Sequence, residues 1–549
     1  MHRHRSGTLR RALLSLLPFF LLQCGDRPTA EKAATIQLPR SGGIYRAPLL
    51  NSPTTLDPAR AEDIYSHSVI QQLFDGLVQF TPDLLIVPAL AESWEIEEGG
   101  LVYRFFLRDD AHFHNGQAVR AEDAAFALKR LIRADPPLSI LPHMMKIAGA
   151  RDYRERRSEE LAGMEVRGER ELRVRLEEPY FPFLAALGMH QAKVVPRDEV
   201  TRRGDQFGRT PVGSGPFQLE SWEEGRAIRL KRFDRYHGGA SYLEGVRYEL
   251  YPGARADDAL ADFLQGKLEE MPLYGKTRQQ LAARKDLQWM ERPSLSLLFY
   301  GVNGTHPFLR HPKVRRSLSL AIDRQRLTAS VYDGQFAPAR NLLPPGMPGY
   351  NPESEAAVDD SAAARTLLEQ ALQEGLVVPS VLEVVSASQT PVAKAELEFI
   401  GTCWSALGIT LVPKFVPNWS EFKEYVKSDA VELYRYAWFA DIPDPDSVLQ
   451  PLFGSDSNVN HLRYRDEQTD RLLAAARATA APTERANIYR RLENHILQDF
   501  PLIPLVHLSV GHVYQPDVRG IHMTALGSHA MSLHRVWLAP PQAPQRQDG

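Results

Sequence analysis

Apolar positions along the chain follow two periods, and between Val381 and Phe415 both occur in succession. A run Val381-Leu-Glu-Val-Val385 has the length of a strand. Leu397, Ile400, Trp404 and Leu407 then keep the three- and four-residue spacing of one helical face. Gly408 closes that face, and a second run follows from Ile409 to Phe415. Glycine supplies the positive φ that ends a helix, so the unit reads strand–helix–strand, with the two strands parallel through a right-handed crossover. Four-residue spacing recurs at Val314, Leu318 and Ile322 and at Ile488, Leu492 and Ile496 after Pro482, and looser helical faces are carried by Ile64, Val69, Leu73 and Leu77 and by Ala124, Phe126, Leu128 and Leu131. These faces predict helices that pack on a core. Gly43–Ala47 and the partly alternating Leu101–Arg108 predict strands, and Asn115-Gly116 predicts a tight turn.

One aromatic run stands apart. Leu433, Tyr434, Tyr436, Trp438 and Phe439 predict a strand that stops by Asp441, because Pro443 and Pro445 exclude further regular structure. A strand ending at a carboxylate, with Arg435 and Trp438 just before it, is how α/β proteins commonly build a ligand cleft. An acidic turn closing a buried strand is the plainer reading of the same residues.

The N-terminus has a different pattern. Arg3, Arg5, Arg10 and Arg11 precede an apolar run from Ala12 to Leu22, with no acid before Asp26. This is a signal-peptide pattern, too short for a permanent span. It ends in Leu21-Leu-Gln-Cys24-Gly, which resembles the lipobox of bacterial lipoproteins, although Gln23 stands where a small residue is usual. The expected organisation is a signal peptide at 1–23, Cys24 as lipidation site, and a polar tether at 24–41. Only Cys24 and Cys403 occur, so the exported domain has no internal disulfide.

At 549 residues the chain holds at least two cores. Without Arg3, Arg5, Arg10 and Arg11 it carries 61 basic against 68 acidic residues, a net of −7. That balance argues against nucleic acid, which requires a basic face.

Several short blocks follow one another along the chain: Thr55-Leu-Asp-Pro-Ala, Leu73-Phe-Asp-Gly-Leu-Val, Pro88-Ala-Leu-Ala-Glu-Ser-Trp, Phe113-His-Asn-Gly, Pro211-Val-Gly-Ser-Gly-Pro-Phe, Tyr236-His-Gly-Gly, Asn303 to Arg324, Phe500-Pro-Leu-Ile-Pro and Val518-Arg-Gly. In this order they resemble the extracytoplasmic solute-binding proteins of family 5, the oligopeptide- and dipeptide-binding proteins of ABC importers, over about residues 42 to 540. The resemblance implies an α/β, two-lobed periplasmic-binding-protein (Venus-flytrap) fold. Lobe I is expected at 42–285, completed by 495–549 and carrying an extra subdomain at about 76–207. Lobe II is expected at 286–494. The implied protein is not an enzyme. It is a monomer, periplasmic or at the cell surface and membrane-anchored by an N-terminal lipid, that captures a short peptide and delivers it to an ABC permease, without a cofactor.

The resemblance also implies site residues. Asp441 matches the carboxylate that receives a peptide ammonium, Trp419 and Trp438 match walls of side-chain pockets, and Arg435 matches an Arg that can meet a peptide carboxylate. Glu62 and Asp63 are expected to assist at the ammonium. Arg435 and Asp441 differ by an even number while Trp438 is out of phase with both, so a kink or a strand end is needed. Core packing or helix capping is the alternative for each residue.

Other motifs lead nowhere. Gly275-Lys-Thr lacks the first glycine of a phosphate loop, Gly213-Ser-Gly is not a nucleophile elbow, and Asp441, Asp444 and Asp446 lack the glycine and glutamate of a calcium loop. His112 with His114, and the late His522, His529 and His534, keep open a nickel chelate or haem as ligand. Scattered surface histidines are the expectation. A membrane-tethered hydrolase lacks a paired nucleophile and base, and a sensor using the same fold is indistinguishable from an importer component at this level.

Overall fold

The computed structural model describes residues 38–540 except 254, 274, 355 and 356. The expected signal peptide and Cys24 lie outside the described residues.

The strand–helix–strand unit forms the edge of a six-stranded sheet. Val381–Ser386 pairs in parallel with Thr410–Phe415, and the helix Pro391–Ser405 connects them. The order across this sheet is Ala337–Pro338, Leu502–His507, Ser296–Val302, Leu433–Phe439, Val381–Ser386, Thr410–Phe415. Residues alternate between its faces. One face packs Tyr434, Leu502 and Phe299 against the helices Trp419–Lys427, Asp446–Phe453, Glu467–Ala478 and Pro482–Asp499. The other packs Leu433, Val384 and Ile503 against Pro312–Leu320, Arg324–Val331, Ser361–Gln373 and Pro391–Ser405. A sheet buried on both faces is the reason these strands are so continuously apolar.

A second body is built on the sheet Ile44–Leu49, Gly245–Leu250, Ala227–Arg232, Phe217–Glu223, whose first pair is parallel. The segment expected as an extra subdomain holds an antiparallel sheet of Ala91–Glu97, Val102–Leu107, Glu171–Arg175 and Met164–Arg167. Its Phe105, Leu128 and Val174 join Tyr45, Leu73 and Phe217 in one continuous core. The segment therefore has its own sheet but shares its core.

Sheet pairing moves the expected lobe boundaries. Gln288–Pro293 pairs with Ser509–Tyr514, which also pairs with Glu270–Pro272 of the first lobe. Leu502–His507, by contrast, lies inside the six-stranded sheet. The chain thus crosses between lobes near Ser294 and near Leu508, not at 285/286 and 494/495. The two crossings are stitched together: Ser294 N–H donates to Leu508 O at 2.8 Å, and Leu508 N–H donates to Ser296 Oγ at 3.2 Å.

The blocks that carried the resemblance meet in space as scaffold. His237 Nε2 lies 2.9 Å from Asp75 Oδ2, joining the Tyr-His-Gly-Gly and Phe-Asp-Gly blocks. Buried Asp57 receives both Nη groups of Arg130. Arg315 donates to the carbonyls of Asp499 and Phe500, and buried Arg324 to that of Pro504. Each is a buried polar group satisfied by a distant block, and leaving such a group unpaired is costly. Among the described residues, no helix is long and apolar enough to cross a membrane.

Candidate functional site

The strand Leu433–Phe439 runs in unbroken register against Ser296–Val302. No kink is present. Tyr434, Tyr436 and Trp438 face one core, and Leu433, Arg435 and Ala437 face the other. Beyond Phe439 the alternation lapses and the chain turns through Ala440 to Asp446. Asp444 N–H donates to Ile442 O at 2.8 Å, Ser447 Oγ donates to Ile442 O at 3.0 Å, and Asp446 opens the next helix.

The three aspartates of this turn have different fates. Asp444 and Asp446, which read from sequence as turn residues, are buried anchors. Asp444 accepts both Nη groups of Arg485 at 2.6 and 2.8 Å, and Asp446 accepts Arg477 Nε at 2.6 Å and Tyr180 Oη at 3.1 Å. Asp441 makes no hydrogen bond among the described residues and opens to solvent. The protein that hems it in, and then the negative charge of Glu62, push its pKa up to about 6. A solvent-reachable carboxylate with no ion pair among the described residues is suited to receive a cation.

Glu62 comes from the other lobe. Its Oε1 accepts from Ser139 N–H at 3.1 Å and Gln191 Nε2 at 3.2 Å, and its negative charge acts on Asp441. Asp63 is committed elsewhere. It caps the helix Ile64–Leu73, accepting from Ser66 N–H at 2.8 Å, Ser66 Oγ at 2.7 Å and Thr54 Oγ1 at 2.6 Å. Burial works to raise its pKa, but these donors outweigh it and hold the carboxyl below its usual value. Asp63→Ala is therefore expected to cost about 1 kcal/mol, the usual worth of an N-cap. It should leave discrimination between ligands unchanged, as paired thermal melts and titrations would show.

The aromatic residues of this stretch differ in setting. Trp438 is half-buried, and its Nε1–H donates to Ser447 O at 2.8 Å. Trp419, the exposed first residue of its helix, stacks on Phe422 at 5.4 Å between ring centres and leans on Tyr436 at 5.7 Å. Phe439, which sequence reasoning passed over, is exposed at the strand end next to the turn. Arg435 lies on the other face of the strand. Its Nη2 lies 2.8 Å and its Nε 3.0 Å from Glu396, which is fully buried and also accepts from Tyr332 Oη. Glu396 was legible in principle: it sits on the apolar stripe Ala393, Leu397, Ile400, Trp404, where a charge requires a partner.

The lobes touch beside this site. Ile442, from the second lobe, is fully buried within the first lobe's core. Tyr180 Oη bridges Asp446 and His143 Nδ1, the latter at 2.7 Å, and Phe181 N–H donates to Arg477 O at 3.0 Å. Burial lowers the His143 pKa.

Histidine placement departs only in part from the expected surface scatter, since His522 is exposed. His114 is locked by Gly213 N–H and Gly215 O, both at 3.1 Å. The rings of His67 and His190 lie 3.1 Å apart, with His529 5.8 Å from His67. Burial holds His67 and His529 down to about 4. Among the described residues, no three His, Cys, Asp or Glu side chains converge to hold a metal ion.

The model for bacterial extracellular solute-binding proteins, family 5 (middle), matches residues 86–460. The dipeptide-binding protein of Escherichia coli K12 is 26% identical over 477 residues, covering 83% of this chain and 88% of that protein. Heme-binding protein A of Haemophilus influenzae is 27% identical over 550 residues, covering 95% and 98%. The solved structure of HbpA2 from Haemophilus parasuis superposes with a TM-score of 0.78 at 24% identity, covering 91% of this chain and all of that one. The fold is the two-lobed α/β architecture of periplasmic binding proteins.

Proposed function

The chain belongs to the bacterial extracellular solute-binding proteins of family 5, and from that premise we propose that it captures short peptides between its lobes and delivers them to an ABC permease. The observation that carries this reading is Asp441: a reachable, unpaired carboxylate at the mouth of an aromatic-walled strand, opposite Glu62. A desolvated ammonium needs such a partner, and an extended peptide can lie along protein backbone without regard to its side chains. Trp438 and Trp419 are proposed as apolar walls, and Glu62 as the second carboxylate. Asp63 serves as a cap, and Arg435 contributes through its pairing with Glu396. Anchoring through lipid on Cys24 belongs to the same proposal, as does action as a monomer in the periplasm or at the cell surface.

Calorimetry with a mixed library of di- to pentapeptides tests the proposal, and saturable binding is the expected result. A second reading, a haem or nickel chelate as ligand, draws support from the neutral imidazoles of His67 and His529, close to His190 beside Gln191, which holds Glu62. Binding of haem or a nickel chelate with none of any peptide would put the second reading first.

A further inference from the structure

A segment near the C-terminus runs from one lobe to the other. Ala525 and Leu526 lie against the second lobe's core, where Leu295 N–H donates to Ala525 O at 3.1 Å. Met531 and Leu533 are buried in the first lobe's core. Both are tied to the helix Ile64–Leu73 by its buried Gln72, whose Nε2 donates to Met531 O at 2.8 Å and whose Oε1 accepts Leu533 N–H at 2.9 Å. Between the two attachments stands the turn Ser528–Ala530, packed on the same helix. Its His529 rests against His67 of that helix, and His67 rests against His190 of the turn His190–Ala192. Three imidazoles from three separate stretches meet at one place.

This contact suits uncharged rings. The ring centres of His67 and His190 are 3.1 Å apart, which leaves no room for water or a counter-ion between them, so two charges there would repel unscreened. A charged imidazole also donates from both nitrogens, and the buried Nε2 of His190 has no hydrogen-bond partner among the described residues. A proton there would be an unmatched buried donor. The surrounding charges do not compensate. Lys193, buried just beyond the turn, opposes a charge on His190. Asp63 favours a charge on His67, yet its oxygens already serve Ser66 and Thr54, and Glu62 serves Ser139 and Gln191. The helix Ala121–Ile132, packed on the turn His190–Ala192, sends Arg130 to Asp57, Lys129 to Glu160 and Glu122 to Arg197, and its Asp123 accepts the N–H groups of Arg120 and Arg197. Residues 524–533 contain no titratable side chain besides His529.

We propose that residues 525–533 form a strap between the lobes, fastened to the first lobe only while His67, His190 and His529 are all uncharged, so that acid unfastens it. The device holds whatever solute the cleft takes. Once released, His529 and His67 regain water and their ordinary basicity. Burial holds both down to about 4 while they are packed, against 6.5 for a free imidazole. The strap is therefore fully fastened above pH 6.5, and each unit of acidification from there toward 4 favours the released form about tenfold per imidazole.

Hydrogen–deuterium exchange of the full chain tests this, read by mass spectrometry at about pH 7.5, 6 and 5 and corrected for the intrinsic exchange rate. Amides of residues 527–533 are expected to lose protection by about tenfold or more between pH 7.5 and 5, while the six-stranded sheet keeps its own. His529→Gln and His67→Gln preserve a polar side chain that does not titrate, and each should reduce that loss about tenfold. His522→Gln, exposed on the same stretch of chain, should leave the loss unchanged. Protection at 527–533 that stays level down to pH 5 overturns the proposal. So does a loss shared equally by the six-stranded sheet, one that His529→Gln or His67→Gln suffers in full, or one that His522→Gln removes. The two central variants are read independently, so one that does not fold leaves the other to decide.

Discussion

Asp441→Asn is expected to weaken peptides with a free amino terminus by roughly 100-fold or more while changing N-acetylated peptides by less than about threefold. Removing one partner from a desolvated charge pair costs about 2–5 kcal/mol, and only the free amine makes that pair. Equal losses for both ligands would remove Asp441 from ammonium recognition. The same residue predicts a pH profile. Its pKa lies at about 6, and only the ionised form receives an ammonium. Affinity should therefore be flat above neutrality and fall about tenfold per unit as pH drops below 6.

Stability should move in the opposite sense to binding. A carboxyl whose folded pKa stands above its ordinary value contributes stability at low pH, and that contribution is lost as pH rises through 6. Asp441→Asn should then raise the ligand-free Tm at pH 7.5, with the gain shrinking toward pH 4. A binding group held in an unfavourable setting is the common origin of this trade between function and stability.

Asp444→Ala, three residues further on, should do the reverse and lower Tm by roughly 10 °C at pH 7. It leaves the Arg485 guanidinium buried beside Tyr489 without its carboxylate. Breaking a buried pair costs about 3–5 kcal/mol, and about 1 kcal/mol moves Tm by 2–4 °C in a domain of this size. Replacing both partners by apolar residues, Asp444→Leu with Arg485→Met, should recover more than half of the loss, because the penalty lies in the orphaned charge. Thermal melts of the three proteins check this. A single variant within about 2 °C of wild type would show that the pair does not hold the turn.

These two residues mark where the sequence was legible and where it was not. The strand–helix–strand unit of Val381–Phe415 could be read because its period, its closing glycine and its length are local properties. The blocks at Asp57, Asp75, His237, Arg315 and Arg324 could be read for a different reason: each is a buried polar group bound to fixed backbone or a fixed partner. They identify the scaffold while saying little about the ligand. What failed depended on tertiary pairing. The crossing near Leu508 is defined by a strand whose partner lies more than 200 residues away. The tie between Arg435 and Glu396 joins a strand to a helix across a sheet face. His529 reaches His67 only because the C-terminal segment folds back on the helix Ile64–Leu73. The phase mismatch of Arg435 and Trp438 was visible, but it reflects two faces of a straight strand and not a bend.

The contact of Ile442 and Asp446 with the first lobe has a consequence for how tightly any ligand is held. Those contacts form between protein groups alone, so what they contribute to holding the lobes together is the same whichever solute lies between them. Apparent affinity scales with the fraction of empty molecules already competent to bind. Strengthening or loosening Tyr180 against Asp446 would thus raise or lower every ligand's affinity together, like a volume control. In the proposed function, Asp441 and Glu62 act as the filter. Because the two settings reside in different side chains, a descendant of this chain can change how strongly it binds without changing what it accepts.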